Sequence, residues 1–89
     1  MIKQEIKITN RLGLHARPAA QLVQTAAQFV CDIKITKDQV QVNAKSIMGV
    51  MMLAAEYGAC LQIEYNGTDE EQAAKAIEDL FKNNFNEEF

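Results

Sequence analysis

Proline occurs once in 89 residues, glycine four times, and no charged run is longer than Asp69–Glu71. A disordered or low-complexity chain needs far more of these, so a folded protein is expected. No apolar stretch approaches the ~18 residues of a membrane-spanning helix, and no signal-peptide pattern is present. Membrane insertion is therefore not expected, and the cytoplasm is the expected compartment. Basic residues are also few: nine Lys and Arg face twelve Asp and Glu, for a net charge of −3. A nucleic-acid binder would carry a basic face instead. There are only two cysteines, Cys31 and Cys60, each in an apolar, strand-like run. They read as buried small hydrophobes, since a disulfide is out of place in a reducing cytosol. With one histidine and no Cys/His spacing of the zinc type, no metal or other cofactor is expected. No Ser–His–acid set or carboxylate pair points to a hydrolase.

What remains is ordinary globular material, 48% hydrophobic and 24% charged. A chain of this length forms a single domain, residues 1–89, with a modest core. "MIKQEIKI" puts Ile2, Ile6 and Ile8 on one face at period two, the mark of a strand. A turn with Asn10 and Gly13 follows. From Ala16 the spacing changes to three and four, through Ala19, Leu22, Val23, Ala26 and Val30, the stripe of a helix. Pro18 fits only near the start of that helix, where its missing N–H has no partner to lose. "VCDIKIT" and "QVQV" alternate around "KD" and predict a hairpin with Cys31, Ile33 and Ile35 on one face. "SIMGVMMLAAE" reads as a short helix with Ser46 as N-cap, ended by Gly58. "CLQIEY" is a fourth strand, with Leu61, Ile63 and Tyr65 in phase. Thr68 and Glu71 match a capping box before a last helix whose stripe is Ala73, Ile77, Leu80 and Phe81. The order β-α-β-β-α-β-α predicts an α+β fold, an open-faced β-sandwich. Its four-stranded antiparallel sheet would carry three helices on one face.

The chemistry gathers at "GLHARPAA", residues 13–20. His15 falls just before a helix whose first N–H groups lack internal partners and carry the positive end of the dipole. Those donors form an anion site, and Arg17 adds a planar cation suited to phosphate oxygens. A neutral imidazole is a nucleophile. A phosphoryl group carried on His15 satisfies all of these features, whereas a capping histidine beside a solvated arginine would explain them one at a time. The second segment, Ile47–Ala55, is apolar nearly all round, and so short a domain cannot bury every face of it. Met48, Met51 and Met52 suit either gap-filling in the core or an adaptable docking surface.

"GLHARPAAQLVQTA" and "NAKSIMGVMMLAA" together resemble the HPr family, the histidine-containing phosphocarriers of the bacterial phosphotransferase system. The resemblance runs over essentially the whole chain. It implies that His15 accepts the phosphoryl group at Nδ1 and that Arg17 steadies it during transfer. It implies Enzyme I as donor, the EIIA domains of sugar permeases as acceptors, and a carrier rather than an enzyme, acting as a monomer. Ala16 and Ala20 would keep the rim of the site small, while Ile47, Met48 and Met51 would supply apolar contact for brief, weak encounters. Ser46 matches the serine phosphorylated by HPr kinase/phosphorylase in many relatives, a modification through which some bind transcriptional regulators. "MMLAAEYG" and the ending "AIEDLFKNNFNEEF" are also similar to the nitrogen-branch phosphocarrier NPr, so the sugar and nitrogen branches both stay open. An adaptor acting only through phosphoserine is a third reading, opposed by the presence of His15. The longer tail means that no role is carried over for the terminal carboxylate near Arg17.

Overall fold

The computed structural model describes residues 1–87. Strand β1 (Ile2–Lys7) leads into helix α1 (Ala16–Ala26), then the hairpin β2 (Asp32–Lys37) and β3 (Val40–Asn43). Helix α2 (Ile47–Met52), strand β4 (Cys60–Asn66) and helix α3 (Glu70–Lys82) follow, and a 3-10 turn covers Asn84–Asn86. The sheet order is β1-β4-β2-β3, antiparallel throughout.

Period-two alternation decides which face each strand buries. Ile2 lies opposite Tyr65, which lies opposite Ile33; Gln4 lies opposite Ile63, which lies opposite Ile35. These rows and Leu61 form the floor of the core. The other face carries Lys3, Glu5, Lys34, Gln62 and their neighbours, and stays open to solvent. α1 packs against both α2 and α3, and Ala19, Leu22, Val50, Ile77 and Phe81 close the core from above. The polar groups on that floor are paired: Tyr65 Oη donates to Gln4 Oε1 at 2.7 Å, and Gln4 Nε2 donates to the Ala74 carbonyl at 3.3 Å.

Four details depart from expectation. Cys60 is exposed, because it precedes Leu61 and period two sends it to the open face; Cys31 is buried as expected. Val30 is not on the α1 stripe but 82% exposed, since α1 ends at Ala26 and the chain turns before β2. α2 stops at Met52 rather than running to Gly58, and Ala54 takes a left-handed φ of 47°. The Thr68/Glu71 capping box does not form. Asp69 occupies the N-cap position without capping α3, and Glu70 Oε1 instead accepts the Gly67 N–H at 3.0 Å.

Candidate functional site

His15 is the N-cap of α1, with extended backbone (φ −76°, ψ −175°) and no capping bond from its side chain. The first helical bond closes from Ala19 N–H to the His15 carbonyl at 3.0 Å. The N–H groups of Ala16 and Arg17 therefore precede any intrahelical acceptor, and Pro18, third in the helix, has none to satisfy. Ala16 and Arg17 are exposed, Ala20 is half-buried, and the His15 side chain is 35% exposed. The result is a helix start whose first amide N–H groups meet no helical acceptor, beside a half-exposed imidazole, with Arg17 exposed two residues on.

The loop that presents His15 is fixed to the segment after α2. Leu14 N–H donates to the Ala55 carbonyl at 2.8 Å, and Gly13 N–H to the Asn10 carbonyl at 3.1 Å. Gly13 sits at φ +66°, and a Cβ there would lie 2.5 Å from the Ala55 oxygen. Only glycine fits so close an approach at that backbone angle.

The ring is held from the other side by the tail. Glu87 Oε2 lies 2.7 Å from His15 Nε2, and the Glu87 side chain is only 6% exposed. Its other oxygen accepts from Asn10 Nδ2 at 3.0 Å, while Asn10, itself buried, also donates to the Gly13 carbonyl at 2.8 Å. Glu87 is not among the residues to which the sequence motifs point. The contact spans 72 positions, and no local pattern announces it.

The expected docking residues are accessible: Ile47 is 41%, Met48 72% and Met51 42% exposed, whereas Val50 is fully buried and Leu53 nearly so. α2 is thus core on one side and bare apolar surface on the other. Leu12 and Tyr57, not singled out from sequence, are exposed as well. Ser46 caps α2, its Oγ accepting the Gly49 N–H at 3.1 Å. It sits at the opposite end of the ~9 Å helix from the segment that holds the His15 loop. Lys45, whose charge flanks that helix, is committed elsewhere: its Nζ donates to the Phe29 carbonyl at 2.7 Å. A groove lined by Lys3, Gln4, Glu5, Gln62, Ile63 and Glu64 lies over the sheet, and His15 takes no part in it. Among the described residues, no group of three His, Cys, Asp or Glu could hold a metal, and no helix is long and apolar enough to cross a membrane.

An antiparallel four-stranded open sheet with three helices, the first of them starting at a half-exposed histidine, defines the class of protein by its fold. Comparison with known proteins gives that class a family. Residues 2–83 match the family model described as "PTS HPr component phosphorylation site". The chain is 49% identical over 88 residues to the phosphocarrier protein HPr of Treponema pallidum, covering 99% of this chain and 100% of that one. It is 48% identical over 87 residues to the HPr of Neisseria meningitidis serogroup A, covering 98% of each. The crystal structure of HPr-C-His from Thermoanaerobacter tengcongensis superposes with a TM-score of 0.97 at 48% identity, over 100% of both chains. The chain belongs to the HPr family, and its role is that of a phosphocarrier in the phosphotransferase system.

Proposed function

We propose that His15 receives a phosphoryl group from phospho-Enzyme I at Nδ1 and passes it to EIIA domains of sugar permeases. The observation that carries this is the engagement of Nε2 by Glu87 in a ring that makes no capping bond. A ring held through Nε2 has Nδ1 as its nucleophile. In the forward step the Nδ1 lone pair forms the N–P bond as the bond from phosphorus to the donor breaks, its electrons leaving with the donor. The N–H groups at the start of α1 and the Arg17 guanidinium balance the phosphoryl oxygens. Delivery reverses the step, and the electron pair returns to Nδ1. The protein is then a stoichiometric carrier with a phosphohistidine intermediate, working as a cytoplasmic monomer. Ile47, Met48 and Met51, together with the small Ala16 and Ala20, form the face against which donor and acceptor dock in turn. Phosphate on Ser46 would add up to two negative charges beside that face and slow receipt from Enzyme I.

Incubation with phosphoenolpyruvate and Enzyme I tests the assignment. Acid-labile, base-stable phosphate is expected on the wild type and absent from His15→Ala. No label on the wild type, or label persisting in His15→Ala, would overturn it.

A further inference from the structure

The tail that brings Glu87 to His15 is built in a costly way. After α3 ends, Asn84, Phe85 and Asn86 adopt φ of 49°, 55° and 60°, three successive left-handed residues. Asparagine tolerates that region, but phenylalanine does so only under constraint from its surroundings. Here the constraint is visible. Phe85 is 1% exposed and meets Phe81 edge-on at 4.9 Å. Asn84 is bonded through its Oδ1 to the Thr9 hydroxyl, and Glu87 N–H donates to the Asn84 carbonyl at 2.9 Å. The reversal ends by placing one carboxylate, almost wholly out of solvent, between Asn10 and His15.

We propose that Glu87 is a positioning residue for His15: its carboxylate fixes the ring with a proton on Nε2 and balances the positive charge the ring carries while phosphate is joined to or leaves Nδ1. This rests on the phosphocarrier assignment of His15. A carboxylate can only accept, so at 2.7 Å the bond requires the proton on Nε2, and the Nδ1 lone pair is left for phosphorus. When the N–P bond forms, the ring keeps that proton and becomes cationic, facing Glu87 Oε2. When the bond breaks, the electron pair returns to Nδ1 and the ring is neutral again, ready for the next cycle. Asn10 spends one amide proton on Glu87 Oε1 and the other on the Gly13 carbonyl, so the loop that presents His15 also aims its partner. Among the described residues, Arg11 and Arg17 flank His15 in the chain, and Glu56, whose backbone lies against Gly13, turns its carboxylate to Lys37 at 3.6 Å.

The test is the pH profile of phosphohistidine hydrolysis in wild type, Glu87→Gln and, as a control of equal charge change, Glu71→Gln on the exposed face of α3. Each protein is loaded with phosphoramidate, so that loading does not depend on Enzyme I. In hydrolysis, water attacks phosphorus and the N–P electrons return to Nδ1 through the ring-protonated form. Removing the carboxylate takes the countercharge away from that cationic form. The Glu87→Gln phosphohistidine should therefore hydrolyse several-fold more slowly than the wild type across the pH range scanned. Glu71→Gln should superpose on the wild type. Superposable profiles for wild type and Glu87→Gln overturn the role of Glu87 while leaving His15 as acceptor. Failure of wild type to take phosphate from phosphoenolpyruvate and Enzyme I overturns both.

Discussion

Asp69 caps the start of β2 from across the fold: its carboxylate accepts the Cys31 N–H at 2.9 Å and the Val30 N–H at 2.8 Å. The Val30 N–H, and with it the Cys31 N–H, holds the Asp69 carboxyl below its ordinary range. A carboxyl lowered in the folded state stabilises the fold above its unfolded value, ~3.9, and loses that contribution as pH falls through the folded value. Asp69→Asn should therefore melt several degrees lower than wild type at pH 7. The gap between the two proteins should narrow as pH falls below the ordinary aspartate range. A gap that stays constant from pH 7 to pH 2.5 would refute the electrostatic account.

The same residue marks where sequence stops being legible. Asp69 reads locally as a charge suited to the start of α3, and nothing nearby says that it reaches back to Val30. The strands were legible because their signal is local: Ile33, Ile35, Leu61, Ile63 and Tyr65 alternate within a few residues and all lie on the buried face. Cys60 follows the same alternation, which sends it to the open face although it stands in an apolar run. Val30 looked helical by spacing alone, but spacing does not say where a helix ends. The helix-start positions of His15, Arg17 and Ser46 were legible because a helix start leaves a composition pattern within four residues. Glu87 was not, because its contact depends on a left-handed reversal that only a buried Phe85 makes tolerable.

The two thiols should behave oppositely. Cys31 is 1% exposed, and burial, with Asp69 beside it, raises its thiol above the ordinary range. Cys60 is exposed on the open face of the sheet. A maleimide or aromatic disulfide reagent should label one cysteine quickly in the native protein and the second only on unfolding. Peptide mapping that finds Cys31 labelled first would contradict the burial described here.

Gly13 joins stability to the site. An added Cβ would meet the Ala55 carbonyl at 2.5 Å and the Glu56 Cα at 2.9 Å, both backbone, at a φ that side chains avoid. Gly13→Ala should cost about 2 kcal/mol or more in urea unfolding. It should also slow phosphate uptake under conditions where the variant is fully folded, because the loop must leave Ala55. Wild-type uptake by the folded variant would show that the Leu14–Ala55 bond does not set the His15 geometry.

Ser46 can be tested separately as a cap and as the proposed regulatory serine. Ser46→Ala removes the acceptor for Gly49 N–H and should cost about 1 kcal/mol while leaving uptake from Enzyme I unchanged. Ser46→Asp keeps an N-cap acceptor, so its stability should stay near wild type, while its added charge should slow uptake several-fold. Equal uptake rates for wild type and Ser46→Asp would remove the regulatory role.

Helix α2 separates core from exposed apolar surface within three residues. Val50 is fully buried, whereas Met48, two positions earlier, is 72% exposed. Val50→Ala leaves a cavity beneath the helix and should cost about 2 kcal/mol, with uptake near normal wherever the variant is folded. Met48→Asp touches little inside the domain, so its unfolding midpoint should be close to wild type. Its uptake from Enzyme I should nonetheless fall by about tenfold, because a docking contact removed from an apolar interface is worth about 1.4 kcal/mol or more. Since affinity changes fall mainly on dissociation, the loss should show as a raised KM for the carrier. Unchanged KM in Met48→Asp would mean that the exposed methionines are no part of the surface that meets Enzyme I.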